Sequence, residues 1–321
     1  MCLAIDPPRG PTRALFAPLR NIRWRIIAPY AVLTIVLAVA GTFLVTRLVG
    51  GSLDERFNNQ LAEASRVASD ALVRRERQHL EAVRAIAFTD GIGAATAADD
   101  EASLERLVQP LAGNSALERV EVLDASGRRI YGARLDDAST LSYAALQDAT
   151  DRSDWASVHD VLAGRSDDAG DKFSEIVDTP NGPVLYTAGP VYDGERIAGV
   201  VLVGTTLDTF VNAAKLESLA DVTIYDAGGK AIASTFAHED DGVDLTRTPE
   251  VAEGDAAIRE HRTLFGRDFD LLYGTLSLRG EPVATYSVGL PSSFIFSAQQ
   301  DTREQMTLLF AVGMAAALIV G

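Results

Sequence analysis

The chain has 321 residues, 47% of them apolar and 23% charged, with a formal net charge of −16 at pH 7 and one cysteine. That balance excludes a disulfide scaffold and argues against nucleic acid or an anionic lipid surface as a partner of its outer part. The stretch of about 250 residues between two apolar segments is long enough to bury its own core, as one large domain or two lobes.

The first 25 residues form a basic tail, with Arg9, Arg13, Arg20, Arg23 and Arg25 against Asp6 alone. Residues 26–49 (IIAPYAVLTIVLAVAGTFLVTRLV) are apolar apart from three threonines and Arg47. At ~1.5 Å per residue they make ~36 Å of helix, enough to cross a ~30 Å hydrocarbon core. The positive-inside bias holds the basic tail in the cytoplasm and sends the chain beyond Val49 outward. Ala38-Val39-Ala40 has the small-x-small form of a cleavage site. The apolar run nevertheless continues through Phe43, Leu44 and Val45, beyond an ordinary signal core, so the segment reads as an uncleaved transmembrane helix.

Residues 50–90 predict one long stalk helix. Leu53, Phe57, Leu61, Ala64, Ala68, Leu72, Leu80, Val83 and Ala87 recur at steps of three or four, with a skipped slot at Glu76, and Asp90-Gly91 supplies a stop. Such a stripe packs on its own domain and on a partner helix. His79 falls in the charged run RRERQH and reads as solvated.

Next along the chain is an internal repeat. Residues 120–130 read VEVLDASGRRI and residues 222–232 read VTIYDAGGKAI, at a constant offset of 102. Each copy is a short alternating strand, an Asp-x-x-Gly turn and a second strand. Each copy is succeeded by a further hairpin: LYTAGPVYDGERIAGVVLVG (185–204), turning at Asp193-Gly194, and LLYGTLSLRGEPVATYSVG (271–289), turning at Arg279-Gly280. Two tandem antiparallel-sheet lobes result. The first carries about 16 additional residues between its hairpins, within a segment that predicts a helix around Trp155–Leu162, a polar loop and a short strand; extra cover over a sheet face is where a pocket forms.

The order of VEVLDASGRRI, the helix ending VLAGR, DKFSEIV, LYTAGPVYDGERIAGVVLVGTTLD, VTIYDAGGKAIAS and YSVGLPSSFI resembles the bacterial double Cache sensors across most of residues 51–300. The resemblance implies an α+β fold, with a long N-terminal helix and two tandem PAS-like (Cache) lobes flanked by two transmembrane helices. In that scheme residues 91–208 are the membrane-distal, ligand-holding lobe and residues 209–300 the membrane-proximal, transmitting lobe. Residues 301–321 begin a second transmembrane helix, in which Gly313, Ala317 and Gly321 share one small-residue face suited to a homodimer. The implied function is extracytoplasmic sensing of a small molecule in the inner membrane. The signal would pass to a cytoplasmic output module such as a HAMP segment with a histidine kinase, nucleotide cyclase, phosphatase or chemoreceptor. The alternative is a membrane-anchored structural or interaction module that regulates a partner protein.

No metalloprotease, nucleophile-elbow or phosphate-loop motif occurs, so no enzyme activity and no cofactor are expected of this segment. His159, His238 and His261 are scattered, and Asp167, Asp168 and Asp171 miss the calcium-loop register and read as a solvated loop. The candidate ligand-binding residues are Tyr131, Trp155, Lys172, Phe173, Tyr186 and Thr205. Aromatics offer area with a polar handle, and Lys172 can pair a carboxylate. Trp155 and Phe173 read equally well as core. The amino-acid-binding members of the family carry an aromatic-Arg-x-Trp-aromatic run and an Asp late in the last strand. Here Arg152-Ser153-Asp154-Trp155 and Gly204 stand at those places, which leaves the ligand open.

Overall fold

The computed structural model describes residues 22–236, 258–278 and 280–292; of these, the side chains of residues 22–28, 31, 38, 42, 45–54 and 281 lie outside the description. Two compact units are formed, residues 1–58 with 292–321, and residues 59–291.

Helix α1 (Ile22–Ala87) takes in both the apolar run 26–49 and the expected stalk, without a break at Gly50-Gly51. Among the described residues no helix is long and apolar enough to cross a membrane; some side chains of the run 26–49 and the whole of 306–321 lie outside the description. Leu53 is likewise outside the described side chains, whereas Phe57, Leu61, Ala64, Ala68, Leu72 and Val83 are buried as expected. The stripe drifts after the charged run: His79, Ala82, Val83 and Ile86 face inward, and Leu80 and Ala87 are only half-buried. The helix ends at Ala87, three residues before the expected stop, and Gly91, at φ 89°, instead starts α2 (Ile92–Ala97). Helix α3 (Glu101–Asn114) comes next, its first turn capped by Asp100, which accepts a hydrogen bond from the Ser103 amide at 3.1 Å.

The first sheet has six strands in the order β3-β2-β1-β6-β5-β4. They are β1 (Arg119–Asp124), β2 (Arg129–Asp137), β3 (Ser142–Ala145), β4 (Phe173–Thr179), β5 (Gly182–Asp193) and β6 (Arg196–Thr206), and neighbouring strands are antiparallel. The second has five, β7 (Asp221–Tyr225), β8 (Ala231–Ser234), β9 (Ile258–Leu264), β10 (Arg267–Leu278) and β11 (Glu281–Pro291), in the order β8-β7-β11-β10-β9. Both expected second hairpins are present, and each has an outer third strand: β4, the short strand expected after the polar loop, and β9, which the sequence does not predict. The Arg279 half of the second turn lies outside the described residues; Gly280 takes φ 85°.

The repeat holds down to single hydrogen bonds. Asp124 Oδ1 accepts from the amides of Ser126 and Arg128, and Asp226 Oδ1 accepts from those of Gly228 and Lys230, all at 2.8–2.9 Å. Gly127 (φ 83°) and Gly229 (φ 78°) occupy the left-handed position that each turn demands. The segment 207–220 is helix α5 (Leu207–Ser218), which leads into the second sheet as α3 leads into the first.

The central strands of the first sheet are covered on both faces, which is why β5 and β6 read as nearly unbroken apolar runs. One face packs Val120, Val122, Val201 and Val203 against Val83, Ile86, Ile92, Leu104 and Val108 of α1, α2 and α3. The other packs Leu123, Val184, Tyr186, Ala188, Val200 and Leu202 under Val158 and Val161 of α4 (Ala156–Leu162). α4 lies where the sequence placed it, with Trp155 at its N-cap.

Candidate ligand site

The six candidate residues do not converge. Strand alternation sends Phe173 and Tyr186 to the α4 face, where Trp155 stands at the N-cap of α4, and Tyr131 to the opposite face with α1, α2 and α3. Thr205 also turns toward α1. The buried Lys172 packs there too, its stem beside Val83 around Gly189, and its Nζ donates to Asp171 Oδ1 at 2.6 Å. Tyr131 is closed off, and burial, with Glu105 nearby, pushes its phenol up to about 12.

His79 overturns the expectation that it is solvated. It is 2% exposed, its Nε2 lies 2.9 Å from Thr205 Oγ1, and its Nδ1 lies 3.3 Å from Thr187 Oγ1. Burial, assisted by Arg75, lowers its pKa to about 3, so it is neutral at pH 7. A helix drawn across a sheet buries one residue in every three or four whatever its polarity, and here two threonine hydroxyls satisfy the ring. A cavity of about 920 Å³ flanks it, lined by Arg75, Glu81, Glu118, Asp136 and Thr205 among others.

The α4 face carries the densest polar chemistry. The Trp155 and Tyr186 rings lie 5.0 Å apart, and the Arg152 guanidinium sits 4.6 Å from the Trp155 ring centre. The Tyr186 hydroxyl donates to Glu121 Oε1 at 2.8 Å. Glu121 Oε2 accepts from Arg152 Nε at 3.1 Å and Arg129 Nη1 at 3.4 Å. Asp148 binds the same two arginines, Oδ1 to Arg129 Nη1 at 2.6 Å and Oδ2 to Arg152 Nη2 at 2.7 Å. These four charged side chains are at most 6% exposed. Burial alone would lower Arg152, but Glu121 and Asp148 leave it raised; burial would raise Asp148, but Arg129 and Arg152 hold it below the usual carboxylate range. Burial and the Glu121 charge push Tyr186 up, so it stays a donor. Gly204 makes room for this ring: a Cβ there would stand 2.6 Å from Tyr186 Cε1.

Sequence reading missed Arg119, Glu121, Arg129 and Asp148. The one signal available was charge at Arg119 and Glu121 alternating with Val120 and Val122, which is unremarkable on a strand with one wet face. Among the described residues no group of three or more His, Cys, Asp or Glu side chains could hold a metal ion.

Residues 54–254 match the family model dCache_3, described as the double sensory domain of two-component sensor kinase. No curated protein matches the chain. Among solved structures, the domain of a putative sensory box/GGDEF family protein from Vibrio parahaemolyticus is similar at TM-score 0.51 and 12% identity, over 74% of this chain and 99% of that one. The sensory domain of the Campylobacter jejuni chemoreceptor Tlp3 is similar at TM-score 0.51 and 12% identity, over 78% and 99%. The ligand-binding domain of the same receptor in complex with L-valine gives TM-score 0.50 and 12% identity, over 77% and 97%. At such identities the likeness concerns the fold.

Proposed function

We propose that this chain, which belongs to the dCache_3 family of double sensory domains, is the extracytoplasmic sensing region of a bacterial receptor anchored in the inner membrane. A small molecule binds in the first, membrane-distal lobe (residues 91–208), and the second lobe (209–300) passes the change on to a membrane helix and a cytoplasmic output module. The segment itself is sensory, not catalytic. The observation that carries this reading is the buried polar and aromatic face of the first sheet, built from Glu121, Arg129, Asp148, Arg152, Trp155 and Tyr186 under the short cover α4. A packed core is cheaper to make from apolar side chains, so buried ion pairs with an aromatic wall and a seven-residue cover fit recognition better than bulk stability.

A ligand against Trp155 displaces Tyr186. Thr187, the next residue on β5, faces the other way and holds His79, so motion on the ligand face reaches α1 directly. A ligand can bias such a pair of states only by its differential affinity, and a ~100-fold preference supplies ~2.7 kcal/mol.

Ligand-induced stabilisation of the full chain in lipid nanodiscs, screened against a metabolite library, tests this. At least one compound should raise the melting temperature. Trp155→Ala should weaken that compound's binding by ~2 kcal/mol while the ligand-free chain remains folded. A library without a single stabilising compound would remove the basis of the reading. Anchoring is tested by proteolysis of intact spheroplasts: residues 50–300 should be cut, and a mature N-terminus near Gly41 would overturn the uncleaved helix. Homodimerisation belongs to the same proposal. Because Phe57 and Leu61 are buried within the single chain, crosslinking should be sought from the exposed side of α1, for instance at Val73.

A further inference from the structure

The buried charges of the α4 face do not balance. Three guanidiniums, Arg119, Arg129 and Arg152, share the face with two carboxylates, Glu121 and Asp148. Glu175, the remaining acid on this face, is turned to the first turn of α4, where the Ser157 amide and hydroxyl both donate to its Oε1. Arg129 and Arg152 each hold both buried carboxylates. Arg119 holds neither: among the described residues it forms no ion pair, it is 4% exposed, and its Nη1 has no hydrogen-bond partner. Its guanidinium reaches the Tyr186 hydroxyl, so the unused edge lies beside the ring that meets Trp155.

A buried cation with a free donor is the costliest group on this face, and an incoming anion is the group that relieves it. The opposite requirement is absent. Every oxygen of Glu121 and Asp148 already accepts from an arginine or from Tyr186, so that among the described residues neither buried carboxylate of this face is free to receive an ammonium group. We propose that the first lobe takes an anion lacking an amino group, a simple carboxylate or a similar oxyanion, docked on the free edge of Arg119 with its apolar part against Trp155 and Tyr186. This rests on the sensor reading of the same face. It sets this chain apart from the neighbour solved with L-valine, in line with the departures at Arg152–Trp155 and Gly204.

The test uses the full chain in nanodiscs and matched probes: acetate, propionate, isovalerate, benzoate and inorganic phosphate, against L-alanine, L-valine and isovaleramide, at equal ionic strength. At least one anion should raise the melting temperature, and its amino-acid or amide counterpart should do so at ten-fold higher concentration or not at all. Arg119→Gln should abolish the shift and, by removing an uncompensated buried charge, should not lower the ligand-free melting temperature. Arg119→Lys should keep part of the shift; if Arg119→Gln fails to fold, loss of response in Arg119→Met decides. An amino acid that stabilises as well as its deaminated partner, or an anion shift that survives Arg119→Gln, overturns the proposal. If none of the anions acts while a neutral or cationic compound from the metabolite library does, the anion class falls and the sensor reading stands. If nothing stabilises the chain, both fall.

Discussion

The two lobes repeat one topology and fill it differently. Register makes the comparison position by position. In the first sheet Arg119 of β1, Gly204 of β6 and Tyr186 of β5 lie side by side; in the second, Asp221 of β7, Gly289 of β11 and Leu271 of β10 take the same places. Two residues along, Glu121 corresponds to Thr223 and Ala188 to Tyr273, and beyond them Leu123 corresponds to Tyr225. The second lobe therefore fills its face from its own strands, with Tyr225, Phe269, Leu271 and Tyr273 packed together and Thr223 bonded to Ser234. The first leaves room between its strands and its cover, and spends it on buried charges and Trp155. The same scaffold carries an apolar, aromatic face in one copy and a buried ionic face in the other.

The largest contrast should come from the position at which one lobe has Glu121 and the other Thr223. Glu121→Leu leaves Arg129 and Arg152 undercompensated and the Tyr186 hydroxyl without its acceptor, and should cost about 3–5 kcal/mol. Thr223→Val removes one hydroxyl contact and should cost about 1 kcal/mol. Urea unfolding read by hydrogen exchange in each lobe separates the two; equal costs would mean that the buried charges of the first lobe are not a special feature.

The second contrast concerns how each sheet is tied to α1. The first is tied through His79 to Thr187 and Thr205, the second through Ser65 to the Tyr286 hydroxyl at 2.9 Å. His79 has a folded pKa of about 3 against an ordinary 6.5, so on acidification the unfolded chain takes up the proton first. Its contribution is complete above about pH 6.5 and is lost progressively as the pH falls toward 3; between pH 7 and pH 5 the loss should be about 2 kcal/mol. Asp148, held below the usual carboxylate range, adds its own loss only below about pH 4, outside that window. His79→Gln should flatten the pH 7 to 5 dependence of stability in the first lobe and leave that of the second unchanged. A slope that persists in the variant would place the titrating group elsewhere. The smallest effect should be that of Ser65→Ala, about 1 kcal/mol for one hydrogen bond, confined to the second lobe and measured in the same exchange experiment.

Much of the architecture was legible in the residues themselves. The repeat at an offset of 102 located both hairpins, because an Asp-x-x-Gly turn is a local device: Asp124 and Asp226 bond amides two and four residues on, and Gly127 and Gly229 accept a left-handed backbone. The helical stripe of α1 was visible up to the charged run for the same reason, since periodicity is a property of the chain. The second family of facts needed the folded molecule. β9 is an outer strand whose polar pattern takes meaning only from the neighbour it pairs with. His79 lies in a run of charges, and only the helix's path across β5 and β6 brings it between two threonines. The grouping of candidate residues also changed. Tyr131, Lys172 and Thr205 were separated from Trp155, Phe173 and Tyr186 because strand alternation sends adjacent residues to opposite faces, and the sequence does not say which face each strand shares with its neighbour. The ionic cluster of Glu121, Arg129, Asp148 and Arg152, with Arg119 beside it, spans 34 positions of chain and was beyond reach for the same reason. Charge is read from sequence as exposed until tertiary structure supplies the opposite charge that lets it be buried.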